Sequence, residues 1–301
     1  MSFTKELETL RALESADQPD IVFLRDPVAY AQACLKAAGV DSPRFEAQLL
    51  VGMVLGISRT AVTAQLHPQI TPLQFGVLRD FVARRENREP LAYIRATQDF
   101  YGREFLVSPE VLIPRPETEM LVDFALERTS LRLPFRFAEV GTGSGCIAIS
   151  ILIERPLSTC VAVDISEGAL RIARKNAEKQ NVVDQVEFIH GDMLEEFAPD
   201  SFDLILSNPP YIPTGDISTL QPEVSRFEPK LALDGGEDGL QFYRRLAAQA
   251  AMVLRPGGWI AVEIGMGQAE EVCSLFASAG LSDLETRLDL AGIGRVALGR
   301  R

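Results

Sequence analysis

Apolar positions recur every three to four residues through the first third of the chain, the spacing of amphipathic helices. "VAYAQACLKAAG" (Val28 to Gly39), "RFEAQLLVGMVLG" (Arg44 to Gly56) and "FGVLRDFVARRENR" (Phe75 to Arg88) carry this pattern. Each follows a start signal that sets a capping side chain before a proline at the first helical position: Asp26-Pro27, Ser42-Pro43 and Thr71-Pro72. Gln74 is placed to complete a capping box with Thr71, and Gly39 to end the first helix. These signals predict a small helical bundle over residues 26–96, behind a polar extension over residues 1–25.

Near residue 98 the period changes. "DFYGREFLVS" alternates around Gly102 as a hairpin does, and "PEVLIPRPETEML" runs on through prolines that forbid regular structure until Glu117. This stretch, 97–116, reads as a β-hairpin linker to a last domain at 117–301. There, short β-rich runs alternate with helical ones: "FRFAEVG", a helix from Cys146, "CVAVD", a helix from Glu167 to Gln180, "VEFIHGD", "FDLILSN", a helix near Leu240 to Leu254, and "GWIAVEIG". Strands separated by helices predict an α/β fold, a mostly parallel sheet covered on both faces. "SDLETRLDL" and "GRVALGR" predict a closing antiparallel hairpin at its edge.

In such a sheet, ligands bind beyond the carboxyl ends of the strands, so chemistry is expected where each strand stops. The first stops at "EVGTGSGC", Glu139 followed by Gly141, Thr142, Gly143, Ser144 and Gly145. Its glycines permit a tight turn and close approach of backbone to ligand, and the next helix offers unpaired N–H groups. The second stops at Asp164, a carboxylate able to accept from two ribose hydroxyls, or to cap a helix, although Ser166 is available for capping. The third stops at Asp192 and Met193, where a side-chain oxygen and a backbone N–H suit an adenine edge. Together the three predict an adenosine-bearing cofactor.

The fourth stops at Asn208-Pro209-Pro210-Tyr211. Prolines have no N–H, so they present carbonyls at fixed φ without competing donors. With the Asn208 side-chain oxygen they suit a substrate bearing –NH2 next to a planar carbon, and Tyr211 can pack on that plane. Holding both hydrogens of so weak a nucleophile aims its nitrogen at an electrophilic methyl, with no general base required.

Composition narrows the classes. Hydrophobic residues make up 47% and charged residues 24%, a globular balance, and no apolar run approaches the ~20 residues of a membrane helix. Two histidines exclude a histidine-rich metal site, and four widely spaced cysteines read as free thiols, so a cytoplasmic protein without metal is expected. A net charge of −12 opposes binding to phosphate backbones.

The G-x-G-x-G form, with an acid two residues before it, is similar to S-adenosylmethionine-dependent methyltransferases, and Asn208 to Tyr211 resembles the mark of amino methyltransferases acting on adenine, cytosine or glutamine. "PLAYI", "FYG", "VLIPRPETE", "ALDGGEDGL", "LRPGG" and "EIG" together resemble the bacterial release-factor glutamine N5-methyltransferases. The resemblance implies a Rossmann-like class I fold and S-adenosyl-L-methionine as cofactor. It implies as substrate the glutamine of the Gly-Gly-Gln motif of class 1 peptide chain release factors, gripped in part by the helical domain. It places Phe100 and Arg115 near the substrate cleft, although an aromatic hairpin plug and a surface ion pair read them equally well. The sequence departs from the family in Glu139, where aspartate is usual, and Ala96, where glycine is common. Competing readings are an adenine N6 methyltransferase, which would need a basic recognition surface, a ribosomal-protein glutamine methyltransferase, and a non-catalytic partner of translation. A monomer is expected, with residues 214–236 closing over substrate.

Overall fold

The computed structural model describes residues 26–64 and 69–301, so the polar extension expected over residues 1–25 lies outside the described residues. The chain divides into two compact units, one ending at Arg95 and the other running from Ala96 to Arg301.

The described part of the first unit is helical: α1 (Pro27–Ala37), α2 (Pro43–Leu55), α3 (Arg59–Ala64), α4 (Pro72–Glu86) and α5 (Leu91–Arg95). Asp26 caps α1 by accepting from the Ala29 N–H at 3.0 Å. Thr71 and Gln74 exchange both bonds of the capping box at the start of α4. Ser42 makes no side-chain cap bond, so Pro43 alone marks the start of α2. Leu35, Leu50 and Leu78 are fully buried between the helices. Among them runs one ionic tie, the nearly buried Arg85 donating from Nε to Glu46 at 2.6 Å and from Nη2 at 3.2 Å.

The second unit begins with the hairpin of β1 (Thr97–Phe100) and β2 (Arg103–Leu106), which turns at Tyr101 and Gly102. A single 3-10 turn, Pro116–Thr118, leads into α6 (Glu119–Arg128). There follow β3 (Arg136–Val140), α7 (Cys146–Glu154), β4 (Thr159–Asp164), α8 (Glu167–Lys179), β5 (Val186–His190) and β6 (Phe202–Ser207). The unit closes with α9 (Pro222–Phe227), α10 (Gln241–Val253), β7 (Leu254–Glu263), α11 (Ala269–Ser278), β8 (Ser282–Leu288) and β9 (Gly294–Arg300).

Seven strands form one sheet in the order β5-β4-β3-β6-β7-β9-β8, with β3 to β7 parallel and β8 and β9 added as the antiparallel hairpin. Successive side chains of a strand face opposite ways, and the strands feed two cores accordingly. Phe137, Ala162 and Leu204 pack with α6 and α7, whereas Ala138, Val161 and Ile205 pack with α10 and α11. The β6–β7 register jumps from Phe202 opposite Leu254 to Leu204 opposite Trp259, so "RPGG" is a bulge inside β7, which starts earlier than the sequence pattern indicates. Chain order reverses on either side of β3, and the switch point at its carboxyl end is where a doubly wound sheet opens a crevice.

Candidate active site

A cavity opens there, beyond the carboxyl ends of β3 to β6. Its first wall is the glycine loop. Gly141, Gly143 and Gly145 have φ of 70°, 55° and 78°, a region that costs an L side chain about 1–2 kcal/mol. This is the physical reason for glycine at every second place. The Gly141 and Thr142 N–H groups both donate to the Val163 carbonyl, at 2.9 and 3.1 Å. From behind, the buried Asn176 of α8 donates to the Ser144 carbonyl at 2.8 Å and exchanges two bonds with Leu106 of the hairpin.

Glu139, the last residue but one of β3, lies beneath this loop. Its Oε2 accepts from Thr142 Oγ1 at 2.7 Å and from the Ala148 N–H at 3.1 Å, while Oε1 is buried without a partner among the described residues. Burial pushes its carboxyl up to about 8, more than these two bonds pull it down. A buried acceptor left open beneath this loop is suited to a cationic amino group arriving with a ligand. Asp164 spans the next gap, accepting from the Gly143 N–H and the Ser166 N–H, each at 2.9 Å, and burial shifts it upward as well. Ser166 caps α8 with its own hydroxyl, which leaves the carboxylate facing the loop. Asp192 and Met193 form the third wall, Asp192 accepting from Arg245 of α10 at 2.9 Å.

Asn208, Pro209 and Pro210 complete the lining. Ser207 anchors this turn by donating to the Val140 carbonyl at 2.7 Å. Among the described residues no hydrogen bond ends on the carbonyl of Pro209 or Pro210, whereas those after them are tied down. The Tyr211 carbonyl accepts from Gln268 Nε2 at 3.0 Å and the Ile212 carbonyl from the Gly235 N–H at 2.8 Å. Asn208 Nδ2 donates to Thr118 Oγ1 at 3.1 Å, and Thr118 donates to Glu263 Oε2 at 2.5 Å. One of the two Asn208 N–H donors is thus committed to Thr118, which turns the side-chain oxygen away from it, and no described residue donates to that oxygen. Burial pushes the Tyr211 phenol up to about 12, with the charge of Glu263 adding to it.

Phe100 is not in the cavity. It is 2% exposed and meets Phe105 edge to face at 6.1 Å in the core, the hairpin plug of the two sequence readings. Arg115 pairs with the buried Glu228, which also accepts from the Ile113 N–H at 3.3 Å. That pair clips the proline-rich strap to segment 214–236, whose Pro229, Leu231 and Ala232 form part of the lining. Sequence reasoning assigned no role to Thr118, Glu263, Gln268, Arg245 or Asn176. Thr118 and Glu263 do lie in two of the stretches that carry the resemblance, "VLIPRPETE" and "EIG".

Residues 27–95 match the family described as PrmC N-terminal domain, and residues 118–221 the Methyltransferase small domain. A release factor glutamine methyltransferase of Geobacter sulfurreducens is 42% identical over 286 residues, 94% of this chain and 99% of that protein. One from Rhodospirillum rubrum is 44% identical over 267 residues, 89% of this chain and 82% of that one. Among solved structures, a methyltransferase from Pyrococcus furiosus superposes with a TM-score of 0.51 at 18% identity, covering 72% of this chain and 98% of its own, a likeness of fold. The fold is that of class I methyltransferases, and the chain belongs to the release factor glutamine methyltransferase family.

Proposed function

We propose that this protein methylates the side-chain amide nitrogen (N5) of the glutamine in the Gly-Gly-Gln motif of class 1 peptide chain release factors, using S-adenosyl-L-methionine. The family membership supports the reaction, and one feature of the site carries the chemistry: Asn208 gives one N–H to Thr118, and its oxygen lies beside two proline carbonyls that accept nothing from the described residues. Those oxygens suit the two hydrogens of a carboxamide. Because an amide lone pair is delocalised, fixing both hydrogens aims the nitrogen and replaces reorganisation of water by geometry. Positive charge grows on that nitrogen as the bond to carbon forms. Acceptors already directed at its N–H bonds then interact more strongly with the transition state than with the ground state.

The residues present fit the cofactor. Glu139, with its unpartnered Oε1, would hold the α-ammonium, Gly141 to Gly145 the methionyl backbone, Asp164 the ribose, and Asp192 with Met193 the adenine. When bound, the cofactor supplies a methyl group made electrophilic by its sulfonium sulfur. Tyr211 would pack against the amide plane. Arg115 is proposed to support the cleft through Glu228 rather than to touch substrate. The helical unit is proposed to grip the release factor, and the protein to act in the cytoplasm as a monomer.

The test incubates the protein and its Asn208→Ala variant with methyl-labelled cofactor and either a release factor or DNA. Label is expected on glutamine of the release factor alone, with the variant slower by about 10²-fold or more, the cost of deleting one transition-state hydrogen bond. Labelled DNA would overturn the substrate assignment.

A further inference from the structure

Two side chains from distant parts of the chain meet behind the Asn208 amide. Thr118 and Glu263 are 2% and 3% exposed, so water does not compete with the bonds between them. A threonine hydroxyl has one proton to give. It goes to the Glu263 carboxylate at 2.5 Å, and a carboxylate has none to return. The remaining bond, at 3.1 Å, is therefore one in which Thr118 accepts and Asn208 donates. The same geometry would serve the reverse chain if the acid were protonated, Glu263 donating to Thr118 and Thr118 donating to the Asn208 oxygen. That chain turns the Asn208 N–H2 toward the cavity, where it meets the N–H bonds of a substrate amide head on.

We infer that Thr118 and Glu263 are positioning residues, a two-link hydrogen-bond chain whose direction, set by the charge on Glu263, decides which atom of the Asn208 carboxamide faces the substrate. The inference rests on the proposed amide chemistry for its consequence, and on this chain's own contacts for its mechanism. Several groups bear on the charge of Glu263. Arg115 and Glu117 lie before α6 and Arg295 lies in β9, while Tyr243 of α10, Tyr211 and Cys146 of α7 also sense it. Burial dominates these and pushes the carboxyl up to about 7, so the chain is poised to reverse within the neutral range.

The test compares the wild type with Thr118→Val, which keeps the shape and loses the hydroxyl, Thr118→Ser, which keeps the hydroxyl and loses a methyl, and Glu263→Gln. Release-factor methylation is followed from pH 5.5 to 8.5, with cofactor affinity measured by calorimetry. The wild-type kcat is expected to fall on the acid side with a midpoint near 7. Thr118→Val should lose about 10- to 100-fold in kcat and lose the acid limb, with KM for release factor and Kd for cofactor within about threefold. Thr118→Ser should keep both rate and limb, and Glu263→Gln, which has no charge to lose, should be flat with pH.

A second readout needs no turnover: the side-chain amide resonances of Asn208 should titrate with the same midpoint in wild type and not in Thr118→Val. Equal impairment of the valine and serine variants would reduce Thr118 to packing. An unimpaired valine variant, or an Asn208 resonance indifferent to pH, would overturn the inference. A wild type that methylates no release factor would instead sink the functional reading, and the resonance titration would still decide the chain's direction.

Discussion

Replacing Glu139 by glutamine keeps the shape and both accepted bonds but removes a proton equilibrium that folding disturbs. The carboxyl titrates near 4.5 when exposed, and burial raises it to about 8 in the folded protein. Between these values the folded state holds a proton that the unfolded state has lost, so stability is full below about 4.5 and is lost as pH rises through 8. Each pH unit in that window removes about 1.4 kcal/mol. Glu263 and Asp164 act in the same sense but are common to both proteins, so they cancel in the difference. Urea denaturation without cofactor at pH 5.5, 6.5 and 7.5 should show the Glu139→Gln variant gaining roughly 2–3 kcal/mol on the wild type across the range.

The cofactor should invert the comparison. Its ammonium favours the carboxylate, so wild-type affinity should rise as pH approaches 8, while the variant binds more weakly and without that slope. Parallel stability curves for the two proteins would show that Glu139 is already ionised in the fold, and would remove the proton argument together with the expected rise of cofactor affinity toward pH 8.

Other perturbations separate the site from its scaffold. Alanine at Gly235 would set its Cβ 2.9 Å from the Pro210 carbonyl oxygen and equally near backbone of Tyr211 and Gly239. It should cost about 1–3 kcal/mol of stability and at least about tenfold in kcat, with cofactor affinity by calorimetry little changed. Gly145→Ala combines a φ of 78° with a Cβ 2.9 Å from Ile149 Cδ1, and thermal unfolding should report a loss of about 2–4 kcal/mol. Ala96 has φ 59°, so Ala96→Gly should stabilise by about 0.5–1 kcal/mol in denaturant titration.

The Ala96 angle shows what kind of information the sequence held. The resemblance marks Ala96 as a departure, yet only the dihedral says that the position is left-handed and what the departure costs. Elements whose cause is local were legible. Asp26 and Thr71 cap where their spacing says they should, the glycines of the loop make the tight turn expected of them, and the alternation of strands and helices gives the sheet. Of the two exceptions, one is local, Ser42 making no side-chain cap bond so that Pro43 alone marks the start, and one is not, "RPGG" being drawn into β7 as a bulge by the pairing of Leu254 with Phe202 of β6.

What stayed hidden has its cause far along the chain. Thr118 lies 90 residues from Asn208 and 145 from Glu263, and no periodicity links them. Phe100 reads equally as plug or cleft residue until Phe105 and the sheet core are seen around it. Asn208 to Tyr211 announces acceptors, but an asparagine presents either its oxygen or its N–H2, and the sequence of the turn does not say which. That choice is made by a hydroxyl and a carboxylate brought up behind it by two other segments of the fold. The inferred chain thus sets the face that Asn208 presents from a hydroxyl at the cavity wall and a carboxylate behind it, and a change in either would alter the chemistry while the rest of the lining stays the same.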